Sequence, residues 1–182
     1  MTNYNEVVLN DKDWKQRYHA LEHVTDQSVL AKVALNEYDW RIRGKAIEKL
    51  TDQNVLAQIA INDDDWKIAV EATKKVTNQQ LAKKIYIEKQ GNYENVCLVA
   101  IKNIYDQNIL IDLFFVRGDN MQLMNEIINK LTDDAFLLSI ALNDTVSQRR
   151  ITAINRIKLI NSPYAISKLK AEGDYLVKRM IS

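Results

Sequence analysis

INDDDWKIAV, Ile61 to Val70, sets three aspartates directly before a tryptophan. Alone, the run suggests a metal loop, a catalytic cluster or the acidic entrance to a helix. The same construction occurs twice upstream, as LNDKDW ending at Trp14 and LNEYDW ending at Trp40, and the three tryptophans stand 26 residues apart. After each comes W-x-x-x-x-x-A, giving Ala20, Ala46 and Ala72, and then an aliphatic four residues on, Val24, Leu50 and Val76. T-[DN]-Q follows, from Thr25, Thr51 and Thr77. A feature that recurs at a fixed period belongs first to the scaffold. Asp63, Asp64 and Asp65 stand where Asp11 and Asp13, or Glu37 and Asp39, stand in the other copies. There a side-chain oxygen accepts from unpaired first-turn amides, and negative charge suits the helix dipole. A calcium loop of the EF-hand type would need alternating oxygen ligands, a central Gly and a distal Glu, and the turn is too short. The aspartates are read as caps.

The tryptophan is lost downstream but the apolar frame persists. The last aliphatic recurs at Val24, Leu50, Val76, Ile104, Leu131 and Ile157, at intervals of 26, 26, 28, 27 and 26. The alanine position runs in register as Ala20, Ala46, Ala72, Ala100, Ile127 and Ala153. These positions define six repeats in one domain, over 11–36, 37–62, 63–90, 91–117, 118–143 and 144–172, with half-units at 1–10 and 173–182. Inexact spacing near Gly91 and Ser162-Pro163 marks insertions in turns.

Within each repeat the spacing predicts two short helices. Trp40 to Leu50 places Ile42, Ala46, Ile47 and Leu50 on one face; a second helix begins at Thr51-Asp52 and carries Leu56, Ile59 and Ala60. Helices shorter than about 12–15 residues are marginal alone in water, so each must stack on its neighbours, as in a solenoid.

Bulk properties agree. The 182 residues are 47% hydrophobic and 27% charged, which suits a globular domain with a real core. Only 4 Gly and 1 Pro leave few residues for the tight turns of sheet proteins, so the expected class is all-α. A net charge of +1 provides no global field towards nucleic acid or anionic membrane. One cysteine, Cys97, excludes an internal disulfide and a cysteine-based zinc site. No basic segment precedes an apolar run at the start, and the most apolar stretch, Ile109 to Val116, is short and contains Asp112. The expectation is a soluble, cytoplasmic chain without a membrane partner.

LNDKDWKQRYHALEHV, LNEYDWRIRGKAIEKL and INDDDWKIAVEATKKV resemble the second helix of a HEAT repeat, a unit that sets an aspartate before the helix and then V-R, Ala and Leu. Ile42-Arg43 followed by Ala46 and Leu50 is the nearest match. Arg17, Arg43 and Arg150 stand at the family's arginine position, whereas Ala69, Cys97 and Met124 depart from it, which interrupts the usual Asp–Arg ladder. The resemblance implies a right-handed α-α superhelix whose second helices line a concave surface. A leucine-rich-variant repeat, with one helix replaced by a turn, is the competing architecture.

His19-Ala20-Leu21-Glu22-His23 matches the H-x-x-E-H pattern of a zinc-protease class, and its histidines at i and i+4 are expected to share a helix face, as ligands would. In register they replace Lys45 and Lys49, and no third ligand is identifiable, so no metal or other cofactor is expected. Cys97, at the inward arginine position, is read as a buried thiol, since no histidine after His23 could activate it. Gly-rich phosphate loops and G-x-S-x-G elbows are absent, so no catalytic residue is assigned.

Two rows remain as a candidate partner surface. Trp14, Trp40 and Trp66 should form a ladder, either packed over the stems of Arg17 and Arg43 or serving as aromatic anchors. Lys15, Arg41 and Lys67 follow the tryptophans and should point outward; His23, Lys49 and Lys75 should lie beside the core. Glu22, Glu48 and Glu71 are interspersed, and later repeats carry Asn95, Gln122 and Gln148 instead, confining any basic site to the first half. The expected function is a non-enzymatic scaffold that binds a protein or acidic peptide through Trp14, Lys15, Trp40, Arg41, Lys49, Trp66, Lys67 and Lys75. The alternative is nucleic-acid binding. Its enzymatic extreme is a DNA glycosylase similar to the AlkD type, for which the resemblance would supply Trp40, Asp39 and Arg43. The final half-unit, with Tyr175, Leu176 and Met180, would offer apolar surface for self-association.

Overall fold

The computed structural model describes residues 2–116 and 120–181, and every regular element among them is an α-helix. The boundary at 117/118 lies outside the described residues. The chain divides into two compact units, Met1–Asn103 and Ile104–Ser182. In the first, α1 (Tyr4–Asn10) is followed by α2 (Trp14–Ala20), α3 (Gln27–Asn36), α4 (Trp40–Lys49), α5 (Gln53–Asn62), α6 (Trp66–Lys74), α7 (Gln79–Lys89) and α8 (Glu94–Asn103). The second contains α9 (Gln107–Phe115), α10 (Met121–Lys130), α11 (Asp134–Asn143), α12 (Ser147–Ile160), α13 (Pro163–Glu172) and α14 (Tyr175–Ile181).

Both units are helical-repeat stacks of the solenoid kind. In the first, α2, α4, α6 and α8 lie side by side in one layer and α1, α3, α5 and α7 in the other. The core lies between the layers. Every aliphatic of the repeat frame, Val24, Leu50, Val76, Ile104, Leu131 and Ile157, is buried, as is every residue of the alanine register.

The packed hairpin and the sequence repeat differ in frame by one helix. α1 packs on α2, α3 on α4, α5 on α6 and α7 on α8, whereas α2 and α3, neighbours within 11–36, make little contact. Ala34 and Ala46, like Ala60 and Ala72, are fully buried, and such small residues let paired backbones approach closely. Segment 1–10 is thus the partner of α2. In the second unit α14 packs on α13 and α12, leaving Tyr175 exposed while Val177 is buried.

Local chemistry sets the helix starts. Asp13, Asp26, Asp39, Asp52, Asp65, Asn78, Asp106, Asn120 and Asp133 each N-cap a helix with a side-chain oxygen. The acid two residues earlier holds the turn: Asp63 accepts from the Asp65 amide at 2.9 Å, as Glu37 does from Asp39 and Asp11 from Asp13. At the two insertions the backbone goes left-handed, at Gly91 (φ 88°) and at Asn161 (φ 53°), residue types that tolerate that region.

Two polar ladders tie repeat to repeat. Arg43 forms a two-pronged pair with Asp63 at 2.8 and 2.9 Å and donates to the carbonyls of Glu37 and Tyr38, each at 3.0 Å. Arg17 repeats this with Glu37 and the Asp11 carbonyl. In the second unit Arg150 reaches Asp174 and the Ala141 carbonyl. The second ladder explains the glutamine of T-[DN]-Q. Gln27 donates to the Lys49 carbonyl and accepts from the Thr51 amide; Gln53 does the same with Lys75 and Thr77, and Gln107 with Lys130 and Thr132. Each glutamine thereby satisfies backbone groups of the turn in the following repeat.

Candidate functional site

The first unit holds a groove of about 800 Å³ across three neighbouring helices. From α2 come Trp14, Lys15, Tyr18 and His19; from α4, Trp40, Arg41, Gly44, Lys45, Ile47 and Glu48. Lys67, Ile68 and Glu71 of α6, with Lys75 just beyond it, close the third side. Six of the eight residues singled out from sequence therefore meet at one site. Trp66 and Lys49 do not line it.

The row after each tryptophan points outward: Lys15, Arg41 and Lys67 are exposed. The tryptophans, however, do not pack over Arg17 and Arg43. Those guanidiniums turn into the acidic turns, where carboxylates and carbonyls satisfy them. The nearer cation on Trp14 comes instead from the next repeat, with the Arg41 guanidinium carbon 3.9 Å from the ring centroid and its own neighbour Lys15 at 6.0 Å. Trp66 has its own neighbour Lys67 above it at 5.8 Å. Trp40, 50% exposed, has no cation over its ring among the described residues.

Lys49 and Lys75 are partly buried and engaged in scaffolding. The Lys49 ammonium donates to the Leu21 and Glu22 carbonyls, and that of Lys75 to the Ile47 and Glu48 carbonyls. A cation at the C-terminal end of a helix satisfies orphan carbonyls and complements the dipole. Burial pushes the Lys75 pKa below its ordinary value, partly offset by Glu48. Asn103 and Arg156 cap preceding carbonyls in the same way, so the position is a C-capping row. His23 departs from it: exposed, its ring stacks on Tyr4 at 4.2 Å.

The remaining groove charges are mixed. Asp39 accepts from the Arg41 amide and guanidinium nitrogen, both at 2.9 Å, and this pairing holds its carboxyl below the usual carboxylate range. Lys45 lies over Tyr18 at 4.8 Å and 3.6 Å from Glu22. Lys15 and Lys67 pair with no carboxylate among the described residues. Sequence reasoning missed Tyr18, His19, Gly44, Lys45 and Ile68. One signal was available: Gly44 replaces the bulky residues Tyr18 and Val70 of its register.

The H-x-x-E-H histidines do not share a helix face, because α2 ends at Ala20 and His23 lies in the following turn. Among the described residues no group of three or more His, Cys, Asp or Glu is arranged to hold a metal. Cys97 is fully buried, and desolvation pushes its thiol up to about 11. No helix among those described is long and apolar enough to cross a membrane. No family model matches the chain, and a search of curated proteins found no relative.

Proposed function

We propose that the chain is a HEAT-like interaction scaffold, without catalytic activity, that binds an acidic protein segment in the groove of its first unit. The observation that carries this reading is the convergence of Trp14 and Trp40 with Lys15, Arg41 and Lys67 around one open groove. The half-exposed Trp40 indole offers large rigid contact area at little entropic cost, and the Lys15 and Lys67 ammonium groups, paired with no carboxylate among the described residues, select negative charge. The hairpin frame, with an acidic turn before the second helix and an arginine within it, supports the HEAT likeness. Asp39 has the same capping role as Asp13 and Asp65, which favours scaffold over enzyme.

The test is affinity capture from the native cell with the wild-type chain and with a Lys15→Glu, Lys67→Glu variant. A partner retained by the first and lost by the second, through an acidic segment that titrates to one site, supports the reading. Retention by both moves the site elsewhere. Gel shift at low salt covers the alternative: nucleic-acid binding must weaken steeply as salt rises, in proportion to the phosphates neutralised.

A further inference from the structure

Gly44 lies within α4, four residues after Trp40 and three before Ile47, so the three share one helix face. Glycine destabilises a helix interior relative to alanine. Its register partners are Tyr18 and Val70, so nothing in the repeat demands it. A Cβ built at Gly44 would meet one atom within 4 Å beyond its own helical backbone, Ile68 Cδ1 at 3.5 Å, which is ordinary contact. Packing therefore does not require glycine either. What it leaves is a hollow in the groove floor, lined by Ile68 and Ile47 and beside Trp40, over whose ring no cation stands among the described residues.

We infer that this hollow is an anchor subsite, taking one apolar side chain from an extended acidic peptide whose carboxylates meet Lys15, Arg41 and Lys67. The inference rests on the groove being a peptide-binding surface, as proposed above. Packed helices lie about 8–10 Å apart, and an extended chain in the polyproline II form rises about 3.1 Å per residue with three residues per turn, so every third side chain returns to the groove face about one helix further on. The anchor lies between two such acids on an adjoining edge of the chain, and an open groove contacts two of the three edges. A polyanion charged at every residue fits less well, since Glu48 and Glu71 also face the groove.

The probes are short fluorescein-labelled peptides with glutamate at every third position: one with a central phenylalanine, one with alanine there, and one with the same composition and scrambled spacing. Binding is read by anisotropy at low salt on the full chain and on Gly44→Val, which copies the side chain of the next repeat. The phenylalanine peptide should bind the wild type at least about tenfold more tightly than the other two. Gly44→Val should erase that preference while still binding the alanine peptide, its fold checked by circular dichroism. If phenylalanine and alanine peptides bind wild type equally, the anchor is refuted and the acidic groove stands; that arm needs no protein variant. If no peptide binds, or a single-stranded oligonucleotide of equal charge binds more tightly, the peptide groove itself falls.

Discussion

Arg43→Ala should be the most costly single change to the polar scaffold of the first unit. Arg43 makes two charge-assisted bonds to Asp63 and two to turn carbonyls, and the paired side chains are only 14% and 8% exposed. Removing one partner of a largely buried pair leaves the other charge uncompensated, at a cost of roughly 3–5 kcal/mol. Asp63 keeps the Asp65 amide at 2.9 Å, so the lower end, about 3 kcal/mol, is expected. Asp63→Asn preserves an acceptor for that amide and should cost about 2 kcal/mol alone. Together the two should cost about 3 kcal/mol rather than about 5, because the second change removes the stranded charge. Arg43→Lys cannot form the two-pronged pair and should recover about half the loss. The assay is urea unfolding followed by circular dichroism for all members of the cycle. A loss below about 1 kcal/mol for Arg43→Ala, or strict additivity, would refute the claim that this pair locks adjacent repeats.

Gly44→Ala should stabilise the chain by about 0.5–1 kcal/mol, since the new methyl makes only ordinary contact; calorimetry would show a raised melting temperature. Gln53→Ala should cost about 2 kcal/mol in denaturant unfolding, because the Lys75 carbonyl and the Thr77 amide lose their partner. Cys97, buried with its thiol raised to about 11, has a thiolate fraction of roughly a thousandth at pH 8. It should react with a disulfide reagent only at the rate of unfolding, and urea should release the reaction. For Glu37, burial raises the carboxyl pKa, but the Arg17 hydrogen bond and the amides outweigh it, so the net shift is downward, as it is for Asp39 beside Arg41. A depressed carboxylate contributes stability above its unfolded pKa and loses it as pH falls through the folded one. Unfolding free energy should therefore hold above about pH 5 and decline below it, less steeply in Glu37→Gln.

The helices were legible because their causes are local. A capping aspartate, an apolar frame at helical spacing and a period of 26 to 28 residues need no distant information, and the caps fall where those residues stand. The groove was legible in part, since residues that recur in register on stacked helices must fall in rows. Helical phase also separated the outward row of Lys67 from the row of Lys49 beside the core. What the inner row does was not legible, because the Lys49 ammonium is drawn to carbonyls that end the preceding repeat's helix.

By itself, the sequence determined the all-helical class, the period, the capping residues and the buried positions, because propensity, capping and amphipathic spacing act within a few residues along the chain. Tertiary structure alone decided which helices form hairpins, that Arg41 rather than Arg17 covers Trp14, that the T-[DN]-Q glutamine bridges repeats, and that Gly44 opens a hollow. These depend on groups from different repeats meeting in space. Their distances are set by how closely the backbones pack, and that is a property of the assembled stack.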